Sequence, residues 1–301
     1  MPEPRPVALA LTDTPTIAEE RSVRGALREA DAAAGFPHDT RPLAVLLHDE
    51  AGKVAGGLWG RTGWSWLTIE SLAVPPALRR AGLGTRILAM AEEEARARGC
   101  IGARLETCSP EARRFCETAG YVVSGTIEDC PPGQTRFTLT KRLGTVPAEP
   151  WPEAAGPRAT ITRSEGEWDP LVGVLEDGLT GFNMPFGGHH GFRAVNFAVR
   201  RPGDAKPVGG LSGHVLYRWF FVKLLYLPED LRRGGLGAAL LRRAEVEALA
   251  GGCIGIWLDT FSFQARPFYE KQGYRVFGTI DDFPPGHSRH YLMKRLDGAR
   301  A

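Results

Sequence analysis

The chain has 301 residues, of which 43% are hydrophobic and 24% are charged. At roughly 100 to 200 residues per domain, this length and composition predict two globular domains with ordinary cores. Lysine and arginine number 37 and aspartate and glutamate 35, which gives a formal net charge of +2. So small a charge produces no field that would draw the protein to nucleic acid or an anionic membrane, and we expect neither partner.

The amino-terminal residues, M-P-E-P-R-P, lack the charged and then apolar pattern of a secretory signal. Apolar runs in the chain stay short of the ~20 residues that a membrane span needs. The sequence therefore predicts a cytoplasmic protein.

The chain's five cysteines are an odd number at irregular spacing, which fits neither a disulfide framework nor a zinc site. We expect Cys100 and Cys253 to be buried, reduced thiols.

A long internal repeat organises the chain, because residues 56–143 recur without a gap as residues 209–296. About half of the paired positions are identical, and each repeat is therefore predicted to be one copy of one fold. The predicted boundaries are a first domain at residues 1–143, a linker at 144–158 and a second domain at 159–301. Proline and alanine dominate the linker, which predicts a semi-rigid connection with Trp151 packed on one domain.

The second copy shows the predicted elements of one repeat in chain order: strand, helix, strand, helix and hairpin. A first strand begins at residues 208–214, and the continuous apolar run at 219–227 predicts a strand buried on both faces. Apolar residues at three- and four-residue steps predict a helix through Ala250, which Gly251 and Gly252 end. A strand at 254–259, a short helix at 264–272 and a hairpin of 274–283 with 289–295 complete the copy.

Paired glycines stand where the long strand meets the long helix, at Gly82 and Gly84 and again at Gly235 and Gly237. Glycines at this point let the backbone turn closely, so that the first N–H groups of the helix point outward at the positive end of its dipole. The pattern predicts a cradle for an anion. The alternative is that the glycines serve only the turn geometry of the fold.

The run L-x-V-x-P-x-x-R-x-x-G-x-G, which starts at Leu72, resembles the pyrophosphate-binding motif of the GNAT superfamily of acyl-CoA-dependent N-acyltransferases. The second copy has a similar run, and A-x-x-F-Y-E-K-x-G-Y at residues 265–274 is similar to that family's last helix. The resemblance implies an α/β (α+β) fold with two tandem domains, each a mixed central sheet flanked by helices.

The same resemblance implies that acetyl-CoA is the co-substrate. Its pyrophosphate would lie on backbone amides of residues 233–238, and its pantetheine arm beside the preceding strand, where neighbouring strands splay. Ser262 and Ser109 occupy the position where the family often has an asparagine against that arm. The implied cofactor-binding residues are Leu225, Tyr226, Leu227, Arg232, Arg233, Gly234, Gly235, Leu236, Gly237, Ala238 and Ser262, with Arg79, Arg80, Gly82 and Gly84 in the first copy.

Amide formation from a thioester needs a neutral amine, a donor to the developing oxyanion and a proton for the departing thiolate. The family supplies that proton from a tyrosine on its last helix, which implies a catalytic Tyr269; the matching residue in the first copy is Cys116. The backbone amide near Leu227 would polarise the thioester carbonyl. No metal is needed.

The general base is less defined by the sequence. Many family members place a glutamate on the strand before the glycines, where this chain has Glu70 in the first copy and Lys223 in the second. Asp282 and His287 are favoured in the second copy, because the hairpin loop often lines the acceptor pocket in this family. The other candidates are Asp259, Asp281, His214 and His290.

These differences predict that the carboxyl-terminal domain is catalytic and that the amino-terminal domain is degenerate. Three roles stay open for the amino-terminal domain: it binds CoA without turnover, it forms half of an acceptor cleft, or it stabilises the other domain. The segment at residues 182–192 is predicted to be an acceptor-binding loop, not a metal site, despite His189 and His190. We expect a monomer with pseudo-dimeric domains, or a homodimer.

The predicted function is therefore N-acetylation of a small-molecule amine, such as an antibiotic or another specialised metabolite. A protein or peptide acceptor is the alternative within the enzyme class. A non-catalytic acyl-CoA-binding regulatory protein is the alternative outside it.

Overall fold

The computed structural model of the chain describes residues 8–12, 17–33, 35–37, 39–144, 160–164, 174, 191–202 and 206–298. Trp151 and His189 and His190, for which the sequence made predictions, lie outside these described residues. No helix in the described part of the chain combines the length and hydropathy that crossing a membrane requires.

The described part of the first half contains strands and α-helices in mixed order. In chain order its described elements are β1 (Ala8–Thr12), α1 (Ile17–Ala33), β2 (Arg41–His48), β3 (Val54–Gly63), β4 (Trp66–Ala73), α2 (Leu83–Ala97), β5 (Gly102–Thr107), α3 (Pro110–Thr118), β6 (Val122–Glu128) and β7 (Thr135–Arg142).

The described elements of the second half are β8 (Thr160–Ser164), β9 (Arg193–Arg200), β10 (Gly209–Leu216), β11 (Trp219–Tyr226), α4 (Leu236–Ala250), β12 (Gly255–Phe261), α5 (Arg266–Lys271), β13 (Arg275–Asp281) and β14 (Ser288–Arg295). From β9 onward, the described part of the second half repeats the order that starts at β2 in the first half. The elements predicted for this copy are confirmed to within a few residues at each end. One detail is wrong: β11 is buried at Trp219 and Phe220, but Lys223 is exposed, so the strand is not buried on both faces along its length.

The described strands form one mixed sheet in the order β1-β9-β10-β11-β12-β14-β13-β6-β7-β5-β4-β3-β2-β8. The pairs β4 with β5 and β11 with β12 are parallel, and the other pairs are antiparallel. Helices pack on each half of the sheet, where Ile87 and Leu88 of α2 and Leu240 and Leu241 of α4 are buried in the cores. The predicted fold class is confirmed, and the two halves of the sheet are joined edge to edge.

The two halves of the sheet meet where β6 of the first half pairs with β13 of the second, through Gly125 and Gly278. A Cβ atom on Gly278 would lie 2.8 Å from the carbonyl oxygen of Ser124 and 3.0 Å from the Cα of Gly125. Glycine at both positions therefore permits the close approach of the two backbones.

The first strand of each half is exchanged. β1 pairs with β9 of the second half, and β8 pairs with β2 of the first. The helix α1 lies against β10 and β11, also in the second half. Segments of the chain thus cross between the halves, and the domain boundaries proposed from the repeat stay a prediction.

A third apolar cluster lies between the two cores at the junction of the halves. Its buried members come from both halves and are mostly aromatic: Trp66, Ile127, Cys130, Trp219, Ile254, Trp257, Phe261, Ile280, Phe283 and Tyr291. Burying large aromatic side chains is a main source of interface stability. All five cysteines are free thiols and Cys100 and Cys253 are buried, as predicted, whereas Cys108 is partly exposed.

Candidate active site

The glycine loops adopt the same left-handed turn in both halves. Arg80 and Gly82 have φ of 66° and 73°, and Arg233 and Gly235 have 66° and 81°. Each loop leads directly into a helix whose first turn has no side-chain cap. The first N–H groups of α2 and α4 therefore remain available to an anion, as the glycine spacing predicts.

Open space lies above both loops. A Cβ atom built on Gly82 or Gly235 would meet nothing within 4 Å. An arginine before each loop forms a hydrogen bond to the chain just after the preceding strand. Arg79 Nε donates to the Val74 carbonyl at 2.9 Å, and Arg232 Nε donates to the Leu227 carbonyl at 2.7 Å. The loops thus present backbone N–H groups toward a space that can accept a pyrophosphate.

The parallel strands beside each loop separate before they reach it. The ladder between β4 and β5 ends at Thr68 and Arg104, and the ladder between β11 and β12 ends at Val222 and Leu258. Beyond these residues the peptide groups on the facing edges are free of this pairing. The predicted splay, which an extended pantetheine arm needs, is therefore present in both halves.

A cavity of about 640 Å³ occupies the splay of the first half. It begins at the glycine loop between Arg79 and Gly84, and it is walled by β4, β5 and α3. The cavity also reaches residues of the β6–β7 turn region and two residues of the second half. Its lining further includes Glu106, Cys108, Pro131, Gln134, Arg136, Leu216 and Tyr217.

Three charged side chains in the wall of this cavity, Glu70, Glu106 and Arg136, form ion pairs. Glu70, the base implied for the first copy, lines the cavity and forms an ion pair with Arg61. Glu106 accepts from Arg136 at 3.0 Å and lies 3.4 Å from Arg104. The matching pair in the second half is Asp259 with Arg289, at 2.8 Å. Each half therefore carries a paired carboxylate and guanidinium at matching positions, on β5 and β7 and on β12 and β14.

Cys116 and Tyr269 occupy matching positions on α3 and α5. Cys116 lines the cavity, its side chain is buried, and burial raises the pKa of its thiol to about 11. Tyr269 is 7% exposed; burial, and then the charge of Asp259, raise the pKa of its hydroxyl. Both groups therefore hold their protons at neutral pH.

The two serines that replace the family's asparagine differ in their contacts. Ser109 accepts from the Ala112 N–H at 3.2 Å and so caps α3. Ser262 accepts from the Ser288 N–H at 3.1 Å, and its Oγ lies 3.2 Å from Nδ1 of His287. The structure thus brings together Ser262 and His287, two of the residues that the sequence singled out.

Asp282, the other favoured base, lies at the turn between β13 and β14. Its carboxylate pairs with Arg142 of the first half at 2.9 Å and accepts from the Gly286 N–H at 3.3 Å. These contacts give Asp282 a place in the junction between the halves. They do not test its predicted role as a base.

The remaining base candidates are dispersed. Asp281 accepts from the Ser288 hydroxyl at 2.9 Å, and His290 Nδ1 lies 3.1 Å from Thr279 Oγ1. Burial, and then the charges of Lys223 and Arg136, lower the pKa of His214 to about 4. His214 is therefore neutral but weakly basic at neutral pH.

Sequence reasoning missed the residues that cross between the halves, Leu216 and Tyr217 at the first cavity and Trp64 beside Phe261 in the second half. The signal available was an aromatic residue at the same turn of both copies. Nothing in local spacing indicates that each turn faces the other copy.

The chain was compared with known proteins. The sequence profile of the Acetyltransferase (GNAT) family matches residues 12–121 and 179–274. An acetyltransferase from Agrobacterium fabrum is 37% identical over 133 residues, 44% of this chain and 97% of that protein. The blasticidin-S acetyltransferase of Streptomyces morookaense is 46% identical over 89 residues, 29% of this chain and 65% of that protein.

A crystal structure of an acetyltransferase from Agrobacterium tumefaciens, at 37% identity, covers 44% of this chain and 97% of its own, with a TM-score of 0.42. The fold and the two glycine loops define an acyltransferase of tandem architecture. With the family profile matched twice, over most of the chain, the protein belongs to the GNAT acetyltransferase family. It is an enzyme, and acetyl-CoA is its co-substrate.

Proposed function

We propose that the protein transfers acetyl from acetyl-CoA to the amine of a small molecule, such as an antibiotic or another specialised metabolite. The observation that carries this proposal is the cavity of the first half, which runs from the glycine loop to Cys116 and Glu106. Because the two halves are copies of one fold, Tyr269 has the corresponding place in the second half.

The donor would be held mainly by backbone groups. The N–H groups of residues 233–238 would bind the pyrophosphate in the second half, and those that follow Gly82 would do so in the first. The free edges of β4 and β11 would bind the pantetheine arm. The open space over Gly82 and Gly235 supports this assignment, since a side chain there would enter the anion site.

Acetyl-CoA supplies an activated acetyl thioester, and the protein's own groups would control protons and charge around it. The Tyr269 hydroxyl would donate a proton to the departing thiolate, and the Leu227 N–H would polarise the thioester carbonyl. His287, next to Ser262, is the base we propose for the incoming ammonium, because the Asp282 carboxylate is engaged by Arg142.

Turnover is proposed for the second half, which has the tyrosine, while the first half binds acetyl-CoA in its cavity. A small acceptor is supported by the 46% identity to a protein named for acetylation of blasticidin S. The paired carboxylate and guanidinium in each half also favour a polar molecule of limited size.

The experiment is a thiol-release assay with acetyl-CoA. Small amines of varied structure and a peptide with a free amino terminus are supplied in parallel, and the acetylated product is identified by mass spectrometry. Release with a small amine supports the proposal. Release with the peptide alone would assign a protein acceptor, and acetyl-CoA binding without release for any amine would contradict catalysis.

A further inference from the structure

The β3–β4 and β10–β11 hairpins both turn through two residues with positive φ. Trp64 and Ser65 have φ of 52° and 60°, and Tyr217 and Arg218 have 54° and 61°. Two-residue turns of this kind normally favour asparagine and glycine, because other side chains are strained at positive φ. Both copies nevertheless place a large aromatic residue first. Strained turns that are kept often belong to functional sites.

Tyr217 reaches across the junction into the first half. With Leu216 it lines the cavity that also takes in the glycine loop of the first half. Burial, and then the neighbouring Cys108 thiol, raise the pKa of Tyr217. Two residues further on, the indole N–H of Trp219 donates to the Asp129 carbonyl at 2.8 Å and fixes the hairpin to the first half.

Trp64, the repeat equivalent of Tyr217, contacts the second half in turn. Its ring meets Phe261 edge to face at 4.7 Å, and Phe261 is the repeat equivalent of Cys108. Phe263, stacked on Phe36 at 3.7 Å, stands next to it, and His287 lies edge-on to both of these rings. Trp64, Phe36 and Phe263 are only partly buried.

Trp64 is also held in place from its own half. Its backbone N–H donates to Asp39 Oδ1 at 2.8 Å, and its indole N–H donates to the Pro37 carbonyl at 2.9 Å. The ring is therefore fixed beside Phe261, with its centroid 6.2 Å from that of Phe263, the ring that meets His287, which the proposed function uses as the base. Aromatic side chains fixed in this way offer a flat apolar surface at low entropic cost.

We propose that each hairpin tip closes the acceptor end of the other half's site, Tyr217 on the first site and Trp64 on the second. Each site is then incomplete without the other half, and Trp64, at the site for which turnover is proposed, determines acceptor specificity. The rings around Trp64 fit an acceptor amine that carries a planar ring. This inference rests on the proposed function for its effect on catalysis, but the placement of Tyr217 can be tested without turnover.

The placement test uses Cys108, the partly exposed member of a set of cysteines that are otherwise buried. N-ethylmaleimide labelling of Cys108, followed by peptide mass spectrometry, should accelerate several-fold in Tyr217→Ala, because the cavity end is opened. Tyr217→Phe keeps the ring and should label at the wild-type rate. Trp64→Ala should also leave the rate unchanged. A wild-type rate in Tyr217→Ala would overturn the placement.

The specificity test uses thiol release with a planar-ring amine. Trp64→Ala should raise the acceptor KM by about tenfold or more while kcat and the KM for acetyl-CoA change less than about threefold, the pattern of lost acceptor binding. Trp64→Phe should recover most of the affinity. Circular dichroism confirms that the variants fold. An unchanged acceptor KM in folded Trp64→Ala would overturn the specificity role.

Failure of the proposed function has a different signature. If none of the amines tested caused the wild-type protein to release thiol, catalysis would be contradicted, and the specificity role of Trp64 with it. The labelling rates would still decide whether Tyr217 closes the cavity.

Discussion

The indole N–H of Trp66 in the first half donates to the main-chain carbonyl of Asp282 in the second half, at 2.6 Å. The repeat makes the same contact in reverse, from Trp219 to Asp129 at 2.8 Å. Both aspartates stand at the turn of a terminal hairpin, and their carboxylates accept from arginines across the junction, Arg142 and Arg295. The contacts that join the halves therefore also position the hairpin turns beside the candidate sites.

Replacing Trp66 with phenylalanine should lower the free energy of unfolding by about 1 to 3 kcal/mol, because a hydrogen bond and part of a buried aromatic surface are lost. Urea denaturation measures the change. Trp59→Phe is the matched control, since Trp59 is partly buried and packs within the first half against Ala44 and Leu46. An equal loss in both variants would mean that the contact across the junction adds no stability of its own.

The exchange of β1 and β8 leads to a prediction about the linker. A protease site inserted between residues 145 and 158 should allow cleavage without separating the fragments, because each fragment supplies an edge strand to the other's sheet. Size-exclusion chromatography under native conditions should show one species, which denaturant resolves into two. Separation of the fragments in native buffer would contradict the exchange and favour independent domains.

Much of the fold could be predicted from the sequence because its signals are local. The periodic apolar residues from Leu236 to Ala250 and the glycines that follow them predict a helix, and the structure has that helix with the same ends. The glycine spacing around Gly235 likewise predicted a close backbone turn at a helix start, and Gly235 makes that turn with a φ of 81°. These features depend on neighbours within a few residues.

The junction could not be predicted in the same way. Whether β1 pairs with β2 or with β9 depends on long-range geometry, and the same alternating pattern suits either partner. At the candidate site, the contact of Asp282 with Arg142 likewise depends on how the halves meet. The partnership of Ser262 with His287 also depends on the final register of β14.

The proton donor can be tested by removing one hydroxyl. Tyr269→Phe should lower kcat by ~10² to 10⁴, the usual loss when general acid–base assistance disappears, with little change in acetyl-CoA affinity. Tyr274→Phe is the matched control, because Tyr274 is buried in the same core with its ring centroid 6.1 Å from that of Tyr269. Turnover is followed by thiol release and affinity by calorimetry. Full activity in Tyr269→Phe would leave the residue a packing role.

The two glycine loops should differ in what their loss does to the enzyme. Gly235→Glu should abolish acetyl-CoA binding in the second half and turnover with it, because a carboxylate would enter the anion site; Gly82→Glu should remove only the binding site of the first half. Gly82→Ala and Gly235→Ala are the controls, since each imposes the strain of a side chain at positive φ without the charge. Calorimetry of the wild-type chain should give about two acetyl-CoA sites, one for each anion cradle. A single site that survives Gly82→Glu would make the first loop a feature of the fold alone, and turnover that survives Gly235→Glu would place catalysis in the first half.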